Sequence, residues 1–212
     1  MECGADLQGA DVTDDVTSDE LVETGNRRAL ILAAYNRIAT DGFEGLRTRD
    51  VAADAGVNIG TLHYYFPSKE TLIQAVVRYT SSRFAATLSG GGTATERLHR
   101  HLKGVRHLLL TDQQLWSTAS EVGIRAGRDP VIGEVVQHGN AQWFQFMSNL
   151  IAQGVAEGGL TRDLHPERVA AVLVSAIKGA SLPTASPDRA ERIEQTFDQL
   201  EVWLGLAKPE QV

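Results

Sequence analysis

Residues 47–72 read RTRDVAADAGVNIGTLHYYFPSKETL, and the way this stretch folds decides how the rest of the chain is read. Thr48 can cap a short helix running to Ala55, with Val51, Ala52 and Ala55 on its inner face, and Gly56 suits the left-handed turn that ends a helix. Asn58 can cap a second short helix carrying Thr61, Leu62, Tyr64 and Tyr65, which Phe66-Pro67 breaks. Ser68 then caps a longer helix with Leu72, Ala75, Val76 and Tyr79 at the i, i+3, i+4, i+7 spacing. Two short helices hinged on Ala55-Gly56-Val57-Asn58 form a helix-turn-helix, the arrangement that lays its second helix in the major groove of DNA. Val57 plugs the angle between them, and Ala52 and Ala55 let them approach closely.

Upstream, Ile31, Ala34, Tyr35 and Ile38 repeat the helical period from about Gly25 until Asp41-Gly42 stops it. Residues 1–24 show no sustained period and read as a disordered acidic tail, with a helical end to it as the alternative. Downstream, Ser89-Gly90-Gly91-Gly92 is a flexible joint. Beyond it come helices carrying Leu98, Leu102, Val105 and Leu109, then Leu115, Ala119, Val122 and Ala126. A long helix opens at Asp129-Pro130, and two more start at Pro166 and after Ser186-Pro187. No stretch alternates like a strand and none repeats, so the expectation is an all-α chain of about nine helices. Its divisions are a tail (1–24), a helix-turn-helix unit (25–70) linked through helix 69–88, and a helical body (71–212).

The 212 residues carry a net charge of −7, unevenly spread. Residues 1–24 hold eight acids and no Lys or Arg, 25–83 hold eight bases against five acids, and 84–212 hold twelve bases against fourteen acids. A weakly basic segment between acidic ones suits a small nucleic-acid module on a larger body. The single cysteine, Cys3, rules out an intrachain disulfide and a Cys-based zinc site, and no apolar run is long enough to span a membrane. The opening residues lack the basic start and apolar stretch of a secretory signal, so a cytoplasmic location is expected. No Gly-rich phosphate loop, nucleophile elbow or acid pair in an apolar setting is present; an enzyme is not expected, nor a cofactor. His99, His101 and His107 share one helix, but the first two face different ways and no acid joins them at ligand spacing, so helix surface rather than metal is expected.

With these motifs together and in order (the small-residue helix, the AGV turn, the GTL-x-YYF helix and the SKE-x-L start), residues 25–75 resemble the DNA-binding segment of TetR-family transcriptional regulators. The resemblance implies a palindromic operator, a homodimer and a small-molecule effector. Carried onto this sequence, it gives Lys69 and Thr48 phosphate contacts, and Arg49 a two-pronged contact to guanine. Asn58, Ile59, Gly60, Thr61 and His63 lie on or near the base-reading face, and Tyr64 and Tyr65 offer hydroxyls although one of them packs inward. Asn58 and His63 depart from the Ser and Tyr that the family often has there, which bears on the bases read.

In the body, Trp116, Trp143, Phe146 and Met147 would line an effector cavity, or equally fill an ordinary core. His107, Glu121, Arg125 and His138 are candidate groups to orient the ligand, which would be hydrophobic or amphipathic. For the dimer, Val172 and Ala176 on one helix and the stripe Ile193, Phe197, Leu200 and Leu204 on the last are the expected interface, unless the stripes cover the chain's own core. A helical scaffold for protein partners, without DNA or ligand, is the alternative that the body alone leaves open.

Overall fold

The computed structural model describes residues 18–182 and 187–206, with side chains from residue 24 onward. In chain order the helices are α1 (Ser18–Asp41), α2 (Thr48–Asp54), α3 (Ile59–Tyr65), α4 (Lys69–Ala85), α5 (Ala94–Thr111), α6 (Gln113–Ala126), α7 (Pro130–Ala156), α8 (Pro166–Ser181) and α9 (Arg189–Leu204), with a 3-10 turn at Ala86–Leu88 after α4. No strand occurs among the described residues. The first helix starts at Ser18, ahead of the expected start near Gly25, so residues 18–24 are the helical end that the tail reading left open. Residues 1–17 of the expected tail lie outside the described residues.

Two apolar clusters build the molecule. The first joins Leu30, Ala34, Tyr35 and Ile38 of α1 to Val51, Leu62, Phe66, Leu72 and Val76, and it takes in Leu115 and Val122 of α6 and Ile132 of α7. The helix-turn-helix unit and the body therefore share a core at their junction. The second cluster packs Leu98, Leu102, Val105 and Leu109 of α5 against Met147 and Ile151 of α7, Leu173 and Ile177 of α8, and Ile193, Phe197, Leu200 and Leu204 of α9. This corrects the expected interface: the α9 stripe is buried inside its own subunit, because α5 and α8 need an apolar partner as much as a second chain would.

Helix ends follow the expected chemistry with one exception. Asn58 Oδ1 accepts the Thr61 N–H at 2.8 Å, and Ser68 and Thr71 cap α4 reciprocally at 3.2 and 3.3 Å. Thr48, however, is the first residue of α2 and not its cap; Arg47 holds the cap position and no side chain closes that end. At the other end of α2, Gly56 takes φ +68°, and the Val57 and Gly56 N–H groups return to Ala52 and Ala53 carbonyls at 3.0 and 3.1 Å.

His101 also departs from its expected place. Expected on a helix surface, it is buried, and the deep position costs it its charge: desolvation pushes its imidazole down to about 4.

Candidate nucleic-acid interface and ligand cavity

The outer edge of α3 is built from what its inner edge buries. Leu62 and Phe66 are sunk in the first cluster and Tyr65 packs against it. Ile59, Gly60, His63 and Tyr64 are left facing outward, Tyr64 with 71 % of its surface exposed. The two tyrosine rings meet edge-on, 5.0 Å between centroids, so the inward Tyr65 props the outward Tyr64. Thr61 is half-buried, and Asn58, though exposed, commits a lone pair to capping the helix.

Cationic groups flank that edge. Arg49 is exposed on the opening turn of α2, Thr48 half-buried beside it, and Lys69 half-buried on the first turn of α4. Glu70 shares that turn, and hydrogen bonds from its own backbone N–H and from Ser68 hold its carboxyl below the usual range. Arg37 of α1 is spent internally, bonding Asp54 through two nitrogens at 2.5 and 3.0 Å and standing 3.6 Å from Asp50. It clamps α2 to α1 and leaves Arg49 facing outward.

The body contains a cavity of about 620 Å³ between α4, α6, α7 and α8. Val77, Thr80, Ser81 and Phe84 face it from α4, Ala119, Ser120 and Gly123 from α6, and Val136, Gly139, Asn140 and Trp143 from α7. Ile177, Lys178 and Ser181 close it from α8, and the exposed Ile124 and Leu182 stand at its rim.

Of the eight expected ligand residues only Trp143 lines this space. His107 and His138 face outward. Trp116 lies under the Arg189 guanidinium at 4.1 Å, Phe146 under Arg97 at 5.4 Å, and Met147 is fully buried in the second cluster. Arg125 pairs with Asp129 at 3.4 Å, and Glu121 abuts Gly42 at the end of α1. Trp116 and Phe146 are half-buried beneath guanidinium groups, and the cavity is lined instead by small residues such as Ala119, Gly123 and Gly139. The α7 series Val136, Gly139, Asn140, Trp143 has helical spacing, and its small residues are the sequence signal that could have located the cavity.

Trp143 is fixed from behind. Its Nε1–H donates to His101 Nε2 at 3.1 Å, so the neutral imidazole carries its proton on Nδ1, which donates to Thr87 Oγ1 at 2.6 Å. The Thr87 hydroxyl in turn donates to the Phe84 carbonyl at 2.6 Å. This relay links two cavity walls, α7 and the end of α4, through α5.

A second apolar surface lies between α8 and α9. Val172 and Trp203 are exposed there, Trp203 by 63 %, over a groove of about 320 Å³ floored by Leu173, Leu200 and Leu204. Among the described residues no helix is long and apolar enough to cross a membrane. No group of three or more His, Cys, Asp or Glu among them could hold a metal ion.

Two family models match the chain: "Bacterial regulatory proteins, tetR family" over residues 30–76 and "BetI-type transcriptional repressor, C-terminal" over residues 94–203. The regulator RutR of Escherichia coli K12 is 42% identical over 55 residues, a match covering 26% of each chain. The chain thus spans only about a quarter of that relative. The regulator CymR of Pseudomonas putida is 25% identical over 171 residues, covering 78% of this chain and 82% of CymR. A solved TetR-family regulator from Rhodococcus sp. superposes with a TM-score of 0.70 at 25% identity, covering 85% of this chain and 99% of that one. The second family match spans α5 to α9, the part of the chain that the scaffold reading had left open.

Proposed function

This chain belongs to the TetR family of bacterial transcriptional regulators, DNA-binding proteins without catalysis, and on that premise we propose that it is a homodimeric repressor released from a palindromic operator by a small molecule. The observation that carries the DNA half is the α3 edge: His63 and Tyr64 project outward because Leu62 and Phe66 hold the opposite edge in the core. In this reading α3 enters the major groove, Arg49 grips guanine from the groove's edge, and Thr48 and Lys69 hold phosphates. One seven-residue helix buries too little surface for specific affinity, whereas two placed about 34–36 Å apart read a palindrome.

The second copy docks on α8 and α9, with Val172 and Trp203 as its apolar contacts and Ala176 at the margin; the α9 stripe beneath supplies rigidity instead of contact. The effector occupies the 620 Å³ cavity. Its wall on α4 belongs to the same 17-residue helix whose first residue is Lys69, so a ligand that fits only a shifted α4 carries that shift to the phosphate contact. DNA affinity falls by the ligand's differential affinity for the two states.

Selection of bound sequences from random DNA with the purified chain tests the reading. An enriched palindrome supports it, and no enriched sequence refutes it.

A further inference from the structure

We propose that the effector is an amphipathic monoanion, a mostly hydrocarbon molecule carrying one carboxylate that Lys178 binds at the cavity mouth; this rests on the reading of the cavity as the effector site. Lys178 is the single charged residue lining the cavity, which no Asp or Glu faces among the described residues. Among the described residues the ammonium has no ion-pair partner either, although seven acid–base pairs form among them.

Three of the other hydroxyls of the wall are already committed, and the Ser81 hydroxyl is not. Thr80 Oγ1 donates to the Val76 carbonyl at 2.9 Å, Ser120 Oγ to the Trp116 carbonyl and Ser181 Oγ to the Lys178 carbonyl, both at 2.8 Å. The Trp143 N–H is taken by His101. Those three hydroxyls retain only lone pairs for a ligand, so the donors left are the Lys178 ammonium, the Asn140 amide and the Ser81 hydroxyl, of which only Lys178 is charged. A cavity whose available donors outnumber its acids accepts an anion and repels an ammonium. Its hydrocarbon-rich lining strengthens the charge-assisted bond relative to open water. By scale with the 150 Å³ cavity that holds benzene, 620 Å³ admits a body of up to roughly two dozen non-hydrogen atoms.

The test uses one skeleton with three heads: 6-phenylhexanoate, its primary amide and 6-phenylhexylamine. Each competes for the purified full chain with Nile red, a neutral dye that fluoresces in apolar cavities. The carboxylate should displace the dye at least tenfold more tightly than the amide, and the amine least tightly of all. Lys178→Met should remove the carboxylate's advantage while leaving amide affinity within about twofold. Equal displacement by all three, or preference for the amine, overturns the anion inference while the cavity reading stands. A control separates the two: a Cβ at Gly139 meets nothing within 4 Å, so Gly139→Phe projects into the space. If the native chain binds no dye, or Gly139→Phe binds it equally, the cavity reading itself fails and the anion inference falls with it.

Discussion

Arg49 and Lys69 illustrate how two cations a few residues from one helix take different work. Arg49 presents a planar fork at the edge of the α3 surface, so Arg49→Ala should relax base preference at one position per half-site, by about 1–3 kcal/mol. Lys69 is a point charge on a helix start, and Lys69→Ala should weaken all sequences alike and lower the salt slope by roughly one unit per contact. Binding isotherms at two salt concentrations on matched and mismatched operators separate the two; identical losses would contradict the assignment. At His101 the consequence is stability. Its folded value of about 4 lies below the ordinary 6.5, so as pH falls below 6.5 the unfolded chain takes up a proton that the folded chain refuses. Stability is lost between pH 6.5 and 4, approaching 3 kcal/mol on the order-of-magnitude scale, and is unaffected by this group above 6.5. His101→Asn should flatten the pH dependence of the melting temperature in that window; an unchanged slope would show that the imidazole titrates freely. The residue pattern did carry a signal here, since His101 stands three residues after Leu98 and four before Val105, on the face of α5 that is buried.

At the scale of elements, much was legible because local chemistry dictates it. The Asn58 and Ser68 caps and the Gly56 turn depend on neighbours within three residues. The turn carries a prediction: Gly56→Ala places a Cβ at φ +68° and should cost about 1–2 kcal/mol in denaturant unfolding although nothing crowds the site. Equal stability of the two chains would mean that the turn relaxes out of the left-handed region. The α9 stripe was legible as a stripe but not by its partner, because a buried face has the same sequence whether α5 or a second chain covers it. The cavity was misplaced for a related reason: an aromatic residue reads the same in sequence whether it lines a space, as Trp143 does, or lies under a guanidinium, as Trp116 and Phe146 do, and only three-dimensional pairing shows where small residues leave room.

In the whole molecule, the shared cluster of α1, α4 and α6 joins the helix-turn-helix unit to the helical body. There Tyr35 meets Tyr79 edge-on at 5.2 Å, and burial pushes its phenol up to about 12. Arg83 of α4 bonds Asp112, the cap of α6, at 2.7 Å. In the proposed function, a shift of α6 around a ligand passes to α1 and α4 together. Dimerisation is checked at this scale by Val172→Glu with Trp203→Glu, which alters only exposed positions and should give folded monomers by light scattering; a variant still dimeric places the interface elsewhere. Phe197→Glu, by contrast, buries a charge in the second cluster and should unfold the chain. The central claim, a dimer reading two half-sites with paired α3 helices, is tested most directly by sedimentation of the purified chain with its selected operator. The account predicts one dimer per palindrome, half-sites about 10–10.5 base pairs apart, and loss of binding when one half-site is scrambled. A monomer that binds a single half-site as tightly as the palindrome would contradict it.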